Sequence, residues 1–196
     1  MGRAPCSLHR RGEPLVSRMA LVGLPGAGKS TVAKLLARRL GCSSADVDSE
    51  IERMAGRSVP EIFDEEGEER FRDLESRALA EAMERSEPIV LSCGGGILGR
   101  ASNRELLKAH ARVVWLKVDP AKAAERLRTP GEVVRPLLRG GPLEERLGTL
   151  LEARREGYES AAEAGVDTDG CTPEQVADRI AMILAGTRGP WGRSAS

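Results

Sequence analysis

The sequence predicts an α/β fold in which a parallel β-sheet is covered by helices on both faces. Short apolar runs with the length of buried strands alternate with segments whose apolar residues recur at helical spacing. The clearest run, RVVWLKVD at 112–119, leads at once into a helical segment. The chain has 196 residues, 40% hydrophobic and 31% charged, a balance that suits one globular domain with a sizeable core. We therefore expect a single domain in which strands and helices alternate.

The expected strands are short apolar runs bordered by turn-forming residues. The run 89–92, for example, begins after Pro88 and ends just before three successive glycines. Runs of roughly four to eight apolar residues with such borders are typical of strands buried in a parallel sheet. The expected strands are 18–22, 45–48, 89–92, 112–119 and a short strand within 165–170.

The expected helices have apolar residues on one face and recognisable ends. Ser58 with Glu61 three residues later forms a capping box, and Asp119 followed by a proline is a typical helix start. Ser102 is expected to cap a third helix, and Gly41 to end the first one. The expected helices are 29–40, 49–56, 58–63, 67–85, 102–110, 119–128, 143–163 and 172–185.

Charge and composition argue against several kinds of partner. The formal net charge is zero and aromatic residues make up 3% of the chain, so we expect no nucleic-acid partner. No apolar run approaches the ~20 residues that span a bilayer, so we expect no membrane partner. The four cysteines form no CxxC pair, and their scattered positions suit the reducing cytoplasm. We expect a cytoplasmic monomer.

The two ends of the chain are expected to lie outside the domain, which spans 18–185. Residues 1–17 are basic but lack the apolar centre of a secretory signal. We expect a disordered N-terminal extension there, and a transit peptide is the weaker alternative. Residues 186–196 are expected to form a disordered tail.

The turn between the first strand and the first helix has the pattern of a phosphate-binding loop. GLPGAGKS, residues 23–30, matches G-x-x-x-x-G-K-[ST] between a strand and a helix. Glycines let backbone N–H groups approach phosphate oxygens, and the helix dipole favours the negative charge. Lys29 can then reach the β- and γ-phosphates, and Ser30 can bind Mg²⁺. The motif predicts a nucleoside triphosphate with Mg²⁺, but it does not separate a kinase from a GTPase or a mechanical ATPase.

Two carboxylates lie at the carboxyl end of the second expected strand. Asp46 and Asp48 are two residues apart, so on a strand both would point the same way. Ligands of open parallel sheets bind at this end of the strands. One carboxylate could serve Mg²⁺, and the other could accept a hydrogen bond from a substrate hydroxyl and act as its base. Helix capping by Asp48 or Ser49 is an equally good interpretation of this stretch.

An arginine–glutamate pair and a glycine run suggest a small acceptor. Arg72 and Glu75 share a helix face, where Arg72 could hold a carboxylate bidentately and Glu75 could orient it. A solvated ion pair is the alternative for these two residues. Gly94, Gly95 and Gly96 follow a buried strand and suit a substrate packed directly on backbone, with a wide loop as the alternative.

Two further arginines are candidates for contacts with the reacting groups. Arg135 lies in the Pro/Gly-bounded segment 129–142, which we expect to be a lid, and Arg154 lies on the helix 143–163. A closing lid that brings an arginine to the transferring phosphoryl group stabilises its charge and excludes water.

Together these motifs resemble the shikimate kinase family across residues 18–185. The resemblance implies a three-layer P-loop NTPase fold of the nucleoside-monophosphate-kinase type, with a five-stranded parallel sheet. It also implies transfer of the ATP γ-phosphate to the 3-hydroxyl of shikimate, a step of chorismate and aromatic amino acid synthesis. The stretches that carry it are GLPGAGKST, DVDSEIE, GRSVPEIFDEEGEERFRDLE, LSCGGGIL, VVRPLL and RREGY, in that order.

The resemblance implies a role for each matching residue. Lys29, Asp48 and Arg135 are implied as catalytic, with Arg135 coming from the lid and Asp48 as the possible base. The residues implied in ATP binding are Gly26, Ala27, Gly28, Lys29, Ser30, Thr31, Arg128, Arg135 and Pro173. The residues implied in shikimate binding are Asp48, Arg72, Glu75, Gly94, Gly95, Gly96 and Arg154, the last chosen over Arg155 by its spacing to Tyr158. Ser30 and Asp46 are implied to serve Mg²⁺.

Two other functions are compatible with parts of the sequence. A kinase of another polyol or sugar acid, such as gluconate, would keep the phosphate loop but need a different acceptor pocket. A nucleotide-binding regulator without phosphotransfer would keep Lys29 and Ser30 but would not need Asp48, Arg72 and Arg154 to converge. The position of those three side chains therefore separates these hypotheses.

Overall fold

A five-stranded, wholly parallel sheet forms the centre of the computed structural model, which describes residues 18–128 and 141–186. The strand order is β2-β3-β1-β4-β5. The strands are β1 Arg18–Val22, β2 Ser43–Asp46, β3 Ile89–Ser92, β4 Arg112–Lys117 and β5 Ala164–Asp167. The expected α/β fold is thereby confirmed.

Helices cover both faces of the sheet, because the strands are apolar on both sides. Met19 and Leu21 of β1 pack into one core, and Ala20 and Val22 pack into the other. The helices are α1 Lys29–Leu40, α2 Val47–Ala55, α3 Val59–Glu84, α4 Ala101–His110, α5 Pro120–Leu127, α6 Leu143–Ala161 and α7 Pro173–Leu184, with a 3₁₀ turn at Ile97–Gly99. Helices α1, α5 and α7 line the first core, and α2, α3 and α4 line the second. None of the helices in the described ranges has both the length and the apolar character to cross a membrane.

Several helix starts follow from the local sequence. Ser58 and Glu61 form a capping box at α3, and the Asp119 side chain accepts backbone N–H groups at α5. Thr172 and Gln175 form a second capping box at α7. The expected cap at Ser102 is wrong, since α4 begins one residue earlier and its N-cap, Arg100, makes no side-chain cap bond. Arg100 instead pairs with Glu69 and Asp73 of α3.

Several element boundaries differ from the sequence expectation, as three examples show. β2 lies at Ser43–Asp46 rather than 45–48, because the chain turns into α2 directly after Asp46. The helices expected at 58–63 and 67–85 are one element, α3, with non-helical backbone at Gly67. β4 ends at Lys117, two residues before the predicted end.

Some expectations lie outside the described residues. They concern the extension 1–17, most of the proposed lid at 129–142, the tail after residue 186, and Arg135. The domain assignment therefore stays a prediction for these segments.

Candidate active site

The phosphate loop lies between the end of β1 and the start of α1, against the β4–α5 unit. Gly23 and Gly26 both have positive φ, of 145° and 80°. A Cβ on Gly23 would lie 2.4 Å from the Leu116 carbonyl oxygen, and one on Gly26 would lie 2.7 Å from the Ala123 carbonyl oxygen. Glycine is thus required at both positions by backbone conformation and by close packing.

Lys29 is buried beneath this loop with its amine turned back onto the backbone. Lys29 is only 7% exposed. Its Nζ donates to the carbonyl oxygens of Gly23 (3.0 Å) and Leu24 (2.8 Å). These bonds satisfy donors of a buried ammonium group and attach it to the loop backbone. Because Lys29 begins α1, its amine stands at the positive end of the helix dipole, where phosphate binding is favoured.

Two hydroxyl groups and one carboxylate meet beside Lys29, at the start of α1 and the carboxyl ends of β2 and β3. Ser30 Oγ donates to Asp46 Oδ2 at 2.6 Å and lies 3.2 Å from Ser92 Oγ. The strand register explains this meeting, since Asp46 pairs with Ser92 across β2 and β3. Oxygen groups of this kind suit Mg²⁺. In nucleotide sites this ion is bound by only a few protein oxygens, and phosphate oxygens and waters provide the remaining ligands. Ser92 was not among the residues singled out from the sequence.

The sequence interpretation of Asp46 and Asp48 on one strand is wrong. Asp46 ends β2 and is the N-cap of α2, where its Oδ1 accepts the backbone N–H of Asp48 at 3.1 Å. Asp48 therefore lies in the first helical turn, and the cap of α2 is Asp46 rather than Asp48 or Ser49, the two residues that the capping alternative named. The two carboxylates serve different ends of the site, because Oδ2 of Asp46 faces Ser30 while Asp48 faces the glycine run.

The glycine run after β3 is the point where four charged side chains converge. An added Cβ on Gly94 would lie 2.6 Å from Glu75 Oε1 and 3.2 Å from Asp48 Oδ1. A Cβ on Gly95 would lie 2.8 Å from Arg154 Nη1. A Cβ on Gly96 would overlap the Arg72 guanidinium. Groups from α2, α3 and α6 thus pack directly on three successive residues, which only glycine permits.

The Arg72–Glu75 pair is held inside the protein rather than in solvent. Arg72 donates from Nη1 to Glu75 Oε2 at 3.1 Å and from Nη2 to Glu68 Oε1 at 2.8 Å. Glu75 is 1% exposed, and its Oε1 has no hydrogen-bond partner in the described part of the chain. Burial, opposed by the Arg72 charge, raises the pKa of Glu75. The solvated ion pair considered above is therefore wrong.

Arg154 and Arg155 have different surroundings, although they are neighbours on α6. Arg155 is engaged by Glu152, with Nη2 and Oε1 2.6 Å apart. Arg154 faces Gly95 and makes no salt bridge to a carboxylate within residues 18–128 and 141–186. One turn later, the buried Tyr158 hydroxyl donates to the Gly95 carbonyl oxygen at 2.7 Å. Burial raises the pKa of Tyr158, while the neighbouring Arg154 opposes that rise.

A cleft of about 880 Å³ runs along the phosphate loop and reaches Asp48 and Cys93, next to the glycine run. Its lining includes Gly26 to Thr31, Asp46, Asp48, Ser92 and, at the far end, Arg126, Thr168, Cys171 and Pro173. The structure therefore brings most of the predicted nucleotide residues together. Arg128 is exposed at the C-terminal end of α5 and is not part of this lining. Arg135 is outside the described residues.

Comparison with known proteins identifies the family. The family model described as shikimate kinase matches residues 25–185. A shikimate kinase from Thermobifida fusca is 47% identical over 164 residues, which cover 84% of this chain and 92% of the relative. A solved structure of shikimate kinase from Acinetobacter baumannii, in complex with shikimate, matches with a TM-score of 0.83 at 35% identity, covering 88% of this chain and 95% of the other.

A gluconokinase structure matches more distantly. That protein, from Sinorhizobium meliloti 1021, has a TM-score of 0.52 at 22% identity and covers 88% of this chain and 98% of its own. At that identity the likeness concerns the fold alone. The family model and the close relatives, which span nearly the whole folded region, show that this chain belongs to the shikimate kinase family.

Proposed function

We propose that the cleft holds Mg·ATP along the phosphate loop and shikimate over the glycine run. In this arrangement the chain transfers the γ-phosphoryl group of ATP to the 3-hydroxyl of shikimate, and the products are shikimate 3-phosphate and ADP. This is the reaction of its family, in the synthesis of chorismate and the aromatic amino acids.

The observation that carries the proposal is the convergence on Gly94, Gly95 and Gly96. Arg72 and Arg154 offer two guanidinium groups, from two different helices, to one small volume above the glycines. Such a pair suits a carboxylate, because guanidinium groups bind it with strong, directional hydrogen bonds. Asp48 and Glu75, at the Gly94 end, offer acceptors for hydroxyl groups. A compact ring that carries both a carboxylate and hydroxyls would satisfy all four side chains.

The groups around Ser30 fit a magnesium ion. Ser30, Asp46 and Ser92 offer hydroxyl and carboxylate oxygens, and a nucleoside triphosphate would supply further oxygens. When bound, Mg²⁺ would neutralise phosphate charge during transfer. In this proposal Ser30 and Asp46 hold the ion, directly or through water.

The chain's own residues would do the remaining work. Lys29 binds the β- and γ-phosphates, and Gly26 to Thr31 cradle the triphosphate with their backbone. Asp48 accepts the hydrogen bond of the 3-hydroxyl and takes its proton as the oxygen attacks phosphorus and the bond to ADP breaks. We further propose that Arg135 reaches the phosphates from the lid and that Arg128 and Pro173 flank the adenine.

The proposal is tested by coupled measurement of ADP release with Mg·ATP and four acceptor conditions: shikimate, quinate, gluconate and none. We expect strong turnover with shikimate alone. Turnover only with gluconate or quinate would keep the kinase chemistry and contradict the acceptor. Binding of ATP without turnover on any acceptor would favour a nucleotide-binding regulator instead.

The glycine floor gives a second prediction. We expect Gly96→Ala to raise the KM for shikimate about tenfold, because its Cβ would displace the Arg72 guanidinium and weaken a charge-assisted hydrogen bond. The backbone of Gly96 (φ −102°) accepts alanine without strain, so the fold should survive. The KM for ATP should change by less than twofold.

Gly99→Ala is the matched control for this variant. Gly99 lies only three residues further along the chain, and no atom of the described residues outside its own neighbours lies within 4 Å of a Cβ placed there. Equal effects of the two substitutions on the KM for shikimate would contradict the proposed position of Arg72 in the acceptor pocket.

We also propose that the chain acts as a monomer in the cytoplasm. Among the described residues, Met182 is the one large hydrophobic residue that is exposed to solvent. A single side chain offers little apolar area for a stable self-association. The buried free thiol of Cys93 beside the glycine run suits a reducing compartment.

A further inference from the structure

Arg126 joins the two loops that border the nucleotide end of the cleft. It lies on α5, and its Nη1 donates to the Gly26 carbonyl oxygen (3.2 Å) of the phosphate loop and to Thr168 Oγ1 (3.1 Å). Its Nη2 donates to the Thr168 carbonyl oxygen (2.9 Å). One guanidinium therefore ties residue 26 to residue 168, which begins the loop between β5 and α7.

Both attachment points are themselves fixed. Gly26 packs so closely on α5 that a Cβ would lie 2.7 Å from the Ala123 carbonyl oxygen. Thr168 is 2% exposed, and both its backbone N–H and its Oγ1 donate to the Lys117 carbonyl oxygen of β4. The Arg126 bridge thus connects two closely packed positions, the Gly26 turn of the phosphate loop and Thr168 beside β4.

Loop carbonyl oxygens near the phosphate site must point away from phosphate, since oxygen would repel it. The carbonyls of Gly23 and Leu24 accept from Lys29, whose amine is needed by the phosphates. The carbonyl of Gly26 accepts instead from Arg126, while the N–H of Ala27 donates to the Leu24 carbonyl. Arg126 therefore fixes the Gly26 carbonyl without using the Lys29 amine, which stays available for the phosphates.

We propose that Arg126 is a positioning residue for the nucleotide: it sets the spacing between the phosphate loop and the β5–α7 loop, and hence the affinity for ATP and ADP. This inference rests on the proposed binding of ATP in the cleft. The other loop carries Cys171 and Pro173 into the same lining, so a change in spacing alters both ends of a bound nucleotide. Shikimate binding is not affected, because Arg72, Arg154 and the glycine run make no bond to this bridge.

The test compares Arg126→Met and Arg126→Lys with the wild-type chain. Calorimetry with ADP and steady-state kinetics with both substrates are measured, together with Tm. We expect Arg126→Met to weaken ADP binding and raise the KM for ATP roughly tenfold, with the KM for shikimate within twofold. Arg126→Lys should recover only part of the loss, because one ammonium cannot bridge two loops in a fixed fork geometry.

Arg112→Met is the matched control. Arg126 lies 3.8 Å from Asp169, and Arg112 likewise pairs with a carboxylate, Glu163 (2.9 Å), but at the amino end of β4, away from the cleft. It should change neither KM. Equal rises of both KM values in Arg126→Met, or ADP affinity equal to wild type, would overturn the inference. Failure of the wild-type chain to bind ADP would instead contradict the proposed function.

Discussion

Replacement of Lys29 by methionine is expected to lower kcat/KM for ATP by about 10²–10³-fold or more. The ammonium group is the charge that the loop presents to the β- and γ-phosphates, and it acts in a buried site where screening by water is weak. Steady-state kinetics with saturating shikimate measure the loss. Lys29→Arg should be nearly as damaging, because a guanidinium does not fit a position that is 7% exposed and bonded to two carbonyl oxygens.

Stability must be measured beside activity for this variant. Methionine leaves the Gly23 and Leu24 carbonyls without the bonds from Nζ, at a cost of about 1–3 kcal/mol in the free energy of unfolding. Lys108→Met, on the exposed face of α4, removes the same charge away from the cleft and should leave kcat/KM unchanged. A folded Lys29→Met variant with activity within tenfold of wild type would contradict the phosphate role.

Replacement of Arg154 by methionine is expected to raise the KM for shikimate roughly 10- to 150-fold, which corresponds to about 1.5–3 kcal/mol for a lost charge-assisted hydrogen bond. The reason is its position against Gly95, where it makes no salt bridge to another described residue and is available to a substrate carboxylate. The KM for ATP should stay within twofold. Initial-rate kinetics with each substrate varied in turn check both values.

Arg155 provides an unusually close control. It is the next residue on α6, has the same charge and is paired with Glu152, so Arg155→Met should leave the KM for shikimate unchanged. An effect of Arg155→Met equal to that of Arg154→Met would show that the carboxylate contact has been assigned to the wrong residue. Combining Arg154→Met with Arg72→Met should cost less than the sum of the single effects, since both guanidinium groups are proposed to bind one carboxylate.

Local chemistry made much of the fold predictable from the sequence. The phosphate loop needs glycines at Gly23 and Gly26 for its dihedral angles, and its strand–loop–helix context extends over only about twenty residues. Capping by Ser58 and Asp119 also depends on neighbours a few positions away. The expected cap at Ser102 was wrong: the N-cap of α4 is Arg100, whose side chain pairs with Glu69 and Asp73 of the distant helix α3 rather than with the start of α4.

Asp46 and Asp48 show where the periodicity argument failed. Two residues apart on a strand, they would share a face, but the chain turns into α2 after Asp46, and the two carboxylates separate toward different groups. The alternation of side chains along a strand does not show where the strand ends. Asp46 and Asp48 are equally compatible with a strand that includes both and with a helix that begins between them. The error matters for function, because the structure directs Asp46 to Ser30 and Asp48 to the glycine run, whereas the sequence interpretation placed both carboxylates together.

The sequence by itself determined the fold class, the phosphate loop and the residue types of an acceptor pocket, because these follow from spacing within single elements. Only the tertiary structure decided that Arg72, Arg154, Asp48 and Glu75 meet on one glycine run. It also revealed the contacts of Ser92, Tyr158 and Arg126, whose partners lie 42 to 100 positions away. The physical reason is that a hydrogen bond between distant segments depends on how the sheet and its helices pack. Local sequence patterns do not specify how close two such segments lie in space.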